Sequence, residues 1–442
     1  MAKPKVLVVG TGFAGFHALK SLEKALPRDA AELIAVNPTD YTLYVPLLPE
    51  VAGGSLDPRR VAVPLRTSLK RTRLVLGTAT GIDPGARTCS VVDVEGRGRV
   101  LEWDRLIVTA GSVTRMLSVP GVGEHALGFK SVPEALYLRD HVLRQVELAE
   151  QADDPEERAA RATFVVVGAG YTGTELVAQG QRMTAEALRA RRGAPGALRP
   201  DECRWLLLDM ADRVLPGLDA RMSGPARKVL ESRGVDVRMR TSVAEVTDTC
   251  ARLTDGSEIP TRTVVWCVGV RPDPLVEASG LPAERGRVVV DTSLAVRGLD
   301  GVYAAGDVAA VPDHYNPGEP TPMTAQHAQR QGALAGRNAA ASLGHGKVGR
   351  YKHRDLGFVV DLAGMDAVAD PLHVPLRGVP AKLVARGYHL LAMPGNRVRV
   401  AAEWIADLLS GRQVVQFGLV PREGVRLSDA DRPGNRVVKA GS

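Results

Sequence analysis

Apolar residues in this chain occur in short runs followed by glycine-rich turns, and this pattern predicts alternating strands and helices. The run Lys5–Val9 is rich in β-branched residues and predicts a buried strand. Apolar residues then recur at helical spacing over 16–26, which predicts a helix directly after the turn. The same order returns at Thr163–Val167 and in the residues that follow it. Two strand–turn–helix units of this kind favour an α/β fold.

Other apolar runs predict the remaining strands of these units. They lie at 32–36, 74–80, 88–94, 106–108, 204–208, 235–239, 252–253 and 263–268, and a further run begins at 302 and leads to Asp307. A helical period predicts a long helix over 131–150, with a polar linker or solvated helix end over 151–161. The Pro-rich stretch 41–52 is interpreted as a loop packed over the first unit, or as an ordinary connector. A basic stretch with Gly and Pro, 185–200, is interpreted as an insertion.

Length and composition bound the architecture and the compartment. At 442 residues the chain is longer than the roughly 250–300 that one core supports, so two or three domains are expected. With 45% hydrophobic and 24% charged residues, the composition is typical of a globular protein. The four cysteines form no CxxC pair, which predicts neither a metal site nor a local dithiol centre. A reducing, intracellular compartment is the simplest interpretation, and the amino terminus leaves no room for a signal peptide.

The net charge is positive, at +7, with an isoelectric point near 9.3. Nucleic acid, an anionic membrane surface or anionic cofactors would each suit it. Aromatic residues are only 4% of the chain and do not alternate with basic ones, so no nucleic-acid partner is predicted. No run of about 18 apolar residues occurs, so no segment is expected to span a bilayer.

The two turns carry the GxGxxG pattern of dinucleotide-binding units. In the first, Gly10 permits a tight turn, Gly12 lets a pyrophosphate approach the backbone, and Gly15 lets helix and strand pack closely. The following helix N-terminus then offers free N–H groups to the phosphates. The candidate binding residues of the two turns are Gly10, Gly12, Phe13, Ala14, Gly15, Gly168, Gly170 and Gly173.

The residue that ends the next strand of each unit normally binds a ribose. In the first unit this residue is Asn37, with Asp40 as an alternative. In the second it is Asp209, whose carboxylate would accept ribose hydroxyls and repel a 2′-phosphate, which favours NADH over NADPH. Arg213 lies close enough to leave that preference open. Glu175, in the first helical turn after the second glycine turn, is either an acid favoured by the helix dipole or a group near the nicotinamide.

Three further segments bring small residues to strand ends. One strand ends at Ala110 and Gly111, and another at Gly269. The segment 302–332 combines a short strand, the pair Gly306-Asp307 and the start of a helix with amide side chains. Its sequence after Thr324 is Ala325-Gln326-His327-Ala328-Gln329-Arg330-Gln331-Gly332.

The order GxGxxG, Ala-x-Gly, GxGxxG, Gly-Asp resembles the flavoproteins with two dinucleotide-binding domains. The segment 325–332 is similar to the Ala-Gln-x-Ala-x-Gln-Gln-Gly motif of type II, single-subunit NADH dehydrogenases, as are the segments 44–52 and 265–270. Arg330 stands where that motif has its second Gln, and Asn37 stands where an acid is common. Paired cysteines, which would indicate a disulfide reductase or a sulfide–quinone reductase, are missing.

The resemblance implies two Rossmann-like domains, with the NAD(H) domain, 121–290, inserted in an FAD domain, 1–120 and 291–350. It implies FAD held partly by Asp307, NADH with Glu175 near its nicotinamide, and a lipid quinone, menaquinone or ubiquinone, beside Gln326, Ala325 and Arg330. It further implies non-electrogenic NADH:quinone oxidoreduction in a respiratory chain. The enzyme would be peripheral on the cytoplasmic face of the cell membrane, with a homodimer left open.

The C-terminal region, 351–442, would dock on the membrane. Basic amphipathic helices are predicted over 377–393 and 397–409, and the tail after Arg422 is expected to be mobile. A helix pair packed on the protein or in a dimer would show the same pattern. Two other functions stay open: a flavin NAD(P)H reductase with another acceptor, and a flavoprotein of the apoptosis-inducing-factor kind with a basic binding surface.

Overall fold

The structure is a computed structural model and describes residues 3–429. Its first part contains β1 (Lys5–Val9), α1 (Phe13–Ala25), β2 (Glu32–Asn37), β3 (Tyr41–Leu43), α2 (Leu48–Ala52), α3 (Pro58–Val61), β4 (Ala62–Pro64), α4 (Leu65–Ser68), β5 (Thr72–Asp83), β6 (Thr88–Asp93), β7 (Gly98–Glu102), β8 (Arg105–Val108) and β9 (Ser112–Thr114).

The middle part contains a second series of strands and helices. These are α5 (Val122–His125), α6 (Val132–Gln151), α7 (Pro155–Arg161), β10 (Thr163–Val167), α8 (Tyr171–Ala190), β11 (Arg204–Asp209), α9 (Ala220–Ser232), β12 (Val235–Met239), β13 (Val243–Val246), β14 (Cys250–Leu253), β15 (Glu258–Pro260), β16 (Thr263–Trp266) and β17 (Val270–Pro272).

The last part returns to short strands and then becomes helical. It contains β18 (Ala283–Glu284), β19 (Arg287–Val289), β20 (Val302–Ala304), β21 (Ala309–Ala310), α10 (Ala325–Ala341), β22 (Val359–Asp361), β23 (Ala367–Ala369), β24 (Leu376–Arg377), α11 (Gly378–Ala392) and α12 (Arg397–Ser410). Short 3₁₀ helices lie at Val45–Leu47, Pro274–Val276, Pro371–His373, Arg422–Val425 and Leu427–Asp429.

Two sheets, one mixed and one parallel, form the framework. The larger sheet has seven strands in the order β20-β8-β1-β2-β5-β6-β7, of which β20 to β5 run parallel and β6 and β7 run antiparallel. The smaller sheet has four parallel strands in the order β12-β11-β10-β16. β10 is buried throughout and β1 is buried from Val6 to Val9, as expected of strands covered on both faces. The α/β class with two Rossmann-like units is confirmed.

The chain leaves the first sheet, builds the second, and then comes back. β20 pairs in parallel with β8, so Val302 lies beside Leu106 and Ala304 beside Val108. α10 then packs across α1, where their backbones approach closely at glycines. A Cβ at Gly332 would lie 1.9 Å from the Ala14 carbonyl oxygen. The segment after β20 is therefore held against the first glycine turn.

Several expectations on local structure were wrong. The stretch 41–52 is not an irregular loop, because it contains β3, a 3₁₀ turn and α2, which packs against α6 and α8. The expected linker 151–161 contains α7, whose first turn is capped by the Asp154 carboxylate. α8 continues to Ala190, into the expected insertion. Residues 422–429 are packed rather than mobile, since Val425 and Leu427 are buried. The expected mobile tail beyond 429 lies outside the described residues.

Two amphipathic helices follow the small sheet β22-β23-β24. The buried face of α11 carries Ala381, Lys382, Ala385 and His389, and that of α12 carries Val400 and Trp404. Among the described residues, no helix is both long and apolar enough to cross a bilayer.

Candidate active site

Each glycine turn forms an open cradle at the end of its sheet. Gly10 has φ +87°, and its N–H donates to the Val36 carbonyl at 2.8 Å. A Cβ at Gly15 would lie 1.8 Å from the Gly10 carbonyl oxygen, so only glycine lets α1 approach the strand. A Cβ at Gly12 would meet no atom within 4 Å, so the space beside that residue is free for a ligand.

The second turn repeats this geometry closely. Gly168 has φ +107°, and its N–H donates to the Leu208 carbonyl at 2.7 Å. A Cβ at Gly173 would lie 1.9 Å from the Gly168 carbonyl oxygen, whereas one at Gly170 would meet nothing within 4 Å. The N-caps of α1 and α8, Gly12 and Gly170, provide no side-chain cap. Both helix N-termini therefore keep their first N–H groups for an anionic ligand, and the pyrophosphates of two dinucleotides fit this arrangement.

The residues at the strand ends brace the two turns in the same way. The Asn37 Oδ1 accepts a hydrogen bond from the Thr11 N–H at 3.0 Å, and its Nδ2 donates to the Thr39 carbonyl at 2.8 Å. The Asp209 Oδ2 accepts from the Ala169 N–H at 2.6 Å, and its Oδ1 accepts from the Ala211 N–H at 2.8 Å. Asn37 thus keeps the structural contact of the expected acid without its charge, and Asp209 places a carboxylate beside the second turn.

Asp307 lies in a polar group that sequence reasoning found only in part. Its Oδ2 accepts from the Ser112 hydroxyl at 2.7 Å, and the Ser112 oxygen accepts from the Lys130 ammonium at 2.8 Å. Gly306 has φ +79°, and its N–H donates to the Gln331 Oε1 at 2.9 Å. Sequence reasoning missed the roles of Ser112 and Lys130. Ser112 directly follows the strand end at Ala110 and Gly111, but no sequence pattern pointed to Lys130.

The small residues at the other strand ends leave open space. Gly111 and Gly269 have φ of +79° and +80°, and a Cβ at either would meet no atom within 4 Å. Ala110 is partly exposed and packs against the apolar core that contains β1 and α1. Phe13 meets the Tyr44 ring edge-on with 5.7 Å between centroids, and Ala14 is buried against α10.

The start of α10 carries Gln326 and Arg330 one turn apart. Ala325 is the first helical residue, after the N-cap Thr324. The Gln326 Nε2 donates to the Gly357 carbonyl at 2.7 Å, and its Oε1 lies 3.2 Å from the His353 Nε2. The Arg330 guanidinium donates to the Gln326 carbonyl at 3.1 Å. Gln326 is therefore held by the segment 353–357, and a ligand that binds its amide must replace those contacts.

Two histidines beside Arg330 are neutral at neutral pH. Burial, with the charge of Arg330, lowers the pKa of His353 to about 4. Burial also lowers the pKa of His327, whose Nδ1 lies 2.7 Å from the Tyr351 hydroxyl. Arg330 is thus a cation beside two neutral histidines.

Glu175 is buried, and it contacts the C-terminal region rather than solvent. Its Oε1 accepts from the Asp361 N–H at 2.8 Å. Burial and the negative charges of Asp361 and Glu50 raise its pKa well above the usual range. Glu175 is the fifth residue of α8, beyond the first turn in which it was expected, so the interpretation as an acid favoured by the helix dipole does not describe it. Sequence reasoning missed the neighbours Glu50, Asp361 and Lys382, which are far apart in the sequence.

Comparison with known proteins adds family relationships to this geometry. Residues 4–332 match the model of the pyridine nucleotide-disulphide oxidoreductases. The chain is 30% identical to the type II NADH:quinone oxidoreductase Ndh of Mycobacterium tuberculosis, with 92% of this chain and 89% of that protein covered. It is 32% identical to the type II NADH:quinone oxidoreductase NdhA of the same organism, with 90% and 85% covered.

A solved structure shares the fold. The structure of NDH2 from Plasmodium falciparum in complex with NADH superposes with a TM-score of 0.85. That match covers 94% of this chain and 100% of the other at 16% sequence identity.

Proposed function

The chain belongs to the pyridine nucleotide-disulphide oxidoreductase family and, within it, to the type II NADH:quinone oxidoreductases, and we propose that it oxidises NADH and reduces a lipid quinone without moving charge across a membrane. The observation that carries the proposal is the pair of open glycine turns at the ends of two sheets, one at Gly12 and one at Gly170. Two dinucleotides are needed for this reaction, and the two turns provide a place for each.

The first unit suits FAD. The turn 10–15 would take its pyrophosphate, with Phe13 and Ala14 beside it, Asn37 at the ribose, and Ala110 and Gly111 along the open edge. Asp307 would accept hydrogen bonds from the hydroxyls of the ribityl chain. FAD, when bound, supplies the group that takes the hydride of NADH and passes two electrons to the quinone.

The second unit suits NADH. The turn 168–173 would take its pyrophosphate, and Asp209 would take a ribose. Gly269 leaves open space beyond β16. Glu175 begins in this unit but reaches Asp361 in the C-terminal region, so we place it where the nicotinamide and the quinone meet. We accordingly propose 1–120 with 291–350 as the FAD unit, 121–290 as the NADH unit and 351–442 as the membrane-docking region.

The quinone end of the site is proposed at the start of α10. Gln326 and Arg330 would donate hydrogen bonds to the quinone oxygens, with Ala325 beside them. Arg330 is the stronger donor of the two because it is cationic, and such charge-assisted hydrogen bonds are roughly twice as strong as neutral ones. Arg330, in the place of the usual Gln, would therefore stabilise the negative charge that a quinone oxygen gains during reduction. The acceptor is proposed to be menaquinone or ubiquinone, and steady-state NADH oxidation with both, and with water-soluble acceptors, tests the proposal.

Preference for NADH over NADPH provides one prediction. The Asp209→Ser substitution removes the charge repulsion between the Asp209 carboxylate and the 2′-phosphate of NADPH. If that repulsion is about 1.4 kcal/mol, the ratio of kcat/KM for NADH to kcat/KM for NADPH is expected to fall about tenfold. Arg213 is held by the carbonyls of Pro216 and Leu218, at 3.4 Å and 3.1 Å, which points to Asp209 as the discriminating group. The matched control is Asp212→Ser, an exposed acid in the same loop. An unchanged ratio in Asp209→Ser would assign the preference to another residue.

The C-terminal helices present the surface we propose for membrane docking. The apolar side chains that point outward are Val379, Leu383 and Leu391 on α11, and Val398, Ile405, Leu408 and Leu409 on α12. Leu391, Val398 and Leu409 are 77%, 82% and 80% exposed, which is unusual for such residues in a globular protein. The exposed Arg397 and Arg399 at the start of α12 suit anionic lipid headgroups. We propose the cytoplasmic face of the membrane.

Vesicle binding tests this surface. The double variant Ile405→Asp/Leu409→Asp is expected to bind anionic vesicles at least tenfold more weakly, because each buried leucine or isoleucine stabilises by about 1.5–3 kcal/mol. Co-flotation with vesicles measures the change. The control is Val100→Asp, a 66% exposed residue on the edge strand β7. If the wild-type protein is a dimer in solution and only the double variant is monomeric, the surface is a subunit interface.

A further inference from the structure

Four titratable side chains from four separate segments are buried together beneath the C-terminal helices. They are Glu50 on α2, Glu175 on α8, Asp361 on β22 and Lys382 on α11, with 5%, 8%, 8% and 2% of their surface exposed. Acidic and basic side chains are rarely buried to this extent unless each has a partner. With all four ionised, the three acids and the single lysine would carry a net charge of −2, so protonation of a carboxylate lowers the buried negative charge.

Three members of the cluster have polar partners within it. The Lys382 ammonium is paired with the Asp361 carboxylate. The other Asp361 oxygen accepts from the Ala363 N–H at 2.7 Å. The Glu175 Oε1 accepts from the Asp361 N–H at 2.8 Å. Lys382 is therefore ion-paired with Asp361 and cannot fully neutralise a second carboxylate.

Glu50 has a different partner, which comes from α12. The Trp404 Nε1–H donates to the Glu50 Oε2 at 2.6 Å, and Trp404 is 3% exposed. The Arg386 guanidinium lies over the Trp404 ring, 4.8 Å from its centroid. Trp404 directly precedes Ile405 on α12, so the helix that turns apolar side chains outward also turns this N–H toward Glu50.

Charged groups on every element around Glu50 affect its protonation. They are Glu175 on α8, Asp361 on β22, Lys382 and Arg386 on α11, and Arg412 after α12. Burial and the negative charge of Asp361 raise the pKa of Glu50 to about 7, although Lys382, the Trp404 N–H and Arg386 act in the opposite direction. Glu50 thus gains and loses a proton near neutral pH.

We propose that Glu50 holds a proton that quinone reduction consumes, and that the hydrogen bond from Trp404 sets how readily Glu50 releases it. The inference rests on the proposed function. Reduction of a quinone to a quinol takes two electrons and two protons. The hydride of NADH brings both electrons and one proton, so one further proton must come from the medium for each turnover.

The proton that Glu50 gives to the quinone is replaced from the medium. The Glu50 O–H bond breaks as an O–H bond forms at the quinone oxygen. The carboxylate that remains is stabilised by the Trp404 N–H and by Lys382 and Arg386, and it then regains a proton from the medium. Trp404 is a positioning residue in this scheme, because it acts only through Glu50.

Two substitutions separate this role from a structural one. Glu50→Gln keeps an oxygen that can accept the Trp404 N–H but cannot release a proton. Trp404→Phe keeps a ring for Arg386 but removes the N–H. The control for Glu50→Gln is Glu403→Gln, which changes a carboxylate on α12 that is paired with Arg60. The control for Trp404→Phe is Trp205→Phe, which changes a buried tryptophan whose N–H donates to the Thr184 hydroxyl at 3.1 Å. The quantity to measure is the rate at which a menaquinone analogue reoxidises the NADH-reduced holoprotein, by stopped flow from pH 5 to 9.

The wild-type rate is expected to fall as the pH rises above about 7, because the protonated acid is the active form. Removing a hydrogen bond that favours the carboxylate raises the Glu50 pKa, so Trp404→Phe is expected to move this fall upward by about one pH unit. Glu50→Gln is expected to lose the fall and to be about tenfold slower or more at pH 6. Both controls are expected to keep the wild-type midpoint.

Infrared spectroscopy provides a readout that is independent of turnover. A carbonyl band of a protonated carboxylic acid should titrate near pH 7 in the wild-type holoprotein. Glu50→Gln should lack this titrating band, whereas a band from protonated Glu175 should remain. A pH profile of Glu50→Gln that matches the wild type, or an unchanged infrared band in that variant, would overturn the inference and leave the proposed function standing. A wild-type protein that no quinone reoxidises would instead refute the proposed function.

Discussion

Replacement of Asp307 by alanine is expected to give a colourless protein that no longer holds FAD. The Asp307 carboxylate ends the short connection from β20 and is held in place by the Ser112 hydroxyl at 2.7 Å. Alanine removes the acceptor of the ribityl hydroxyls and also the partner of Ser112 and, through it, of Lys130. Hydrogen bonds to a charged group contribute about 1.5–3 kcal/mol each, so two of them correspond to a loss in affinity of about 100-fold or more.

The measurement is the flavin absorbance per mole of purified protein, followed by titration of the apoprotein with FAD. The control is Asp291→Ala, an exposed acid after β19 whose Oδ1 accepts from the Ser293 N–H at 2.7 Å. That variant loses a turn contact in the same part of the chain but should remain yellow. A fully yellow Asp307→Ala protein would show that FAD is held without this carboxylate.

Replacement of Gly332 by valine is expected to prevent stable folding of the first unit. α1 and α10 are in backbone contact, and a Cβ would lie 1.9 Å from the Ala14 carbonyl at Gly332 and 2.3 Å from the Ala18 carbonyl at Gly336. Backbone atoms cannot move aside as a flexible side chain can, so the helices must separate. Overpacking of a core typically costs about 1–3 kcal/mol, and a clash with a backbone lies at or above the upper end of that range.

The neighbouring Ala333→Val variant is the control, because residue 333 is only half-buried on the same helix. Thermal unfolding and FAD content of both variants measure the effect. We expect a large fall in Tm and loss of FAD for Gly332→Val, and small changes for Ala333→Val. A Gly332→Val protein as stable as the wild type would mean that α1 and α10 do not pack as closely as described.

Features set by local sterics could be predicted from the sequence. Gly10, Gly15, Gly168 and Gly173 were expected to allow a tight turn or close helix packing, and the structure shows a backbone carbonyl where each Cβ would be. Runs of β-branched residues likewise predicted β1 and β10, because strands covered on both faces need apolar side chains throughout.

Features set by tertiary contacts could not be predicted. Residues 48–52 form α2 because Leu48 and Val51 are buried in the apolar core shared with α6 and α8, although the local sequence is rich in proline. The acid cluster joins residues 50, 175, 361 and 382, and no local pattern links positions so far apart. Residues 422–429 pack because Leu427 is buried in an apolar core with Val122 and Trp266, although their composition is polar.

Polar networks that depend on one distant side chain were also missed. Lys130 reaches Ser112 across the chain, and Gln326 is held by the segment 353–357. In each case the residue type was compatible with many partners, and only the folded arrangement selected one. Arg330 is similar, since its neighbours His327 and His353 are neutral because they are buried, a property that composition does not show.

Anaerobic reduction and reoxidation of the purified holoprotein tests the central claim most directly. NADH is added in one equivalent per FAD while the flavin absorbance is followed, and one equivalent of a menaquinone analogue is then added without oxygen. If the two open turns hold FAD and NADH beside a quinone site, NADH bleaches the flavin stoichiometrically and the quinone restores the absorbance. A bleached flavin that the quinone leaves unchanged, and that only a different acceptor reoxidises, would contradict the account.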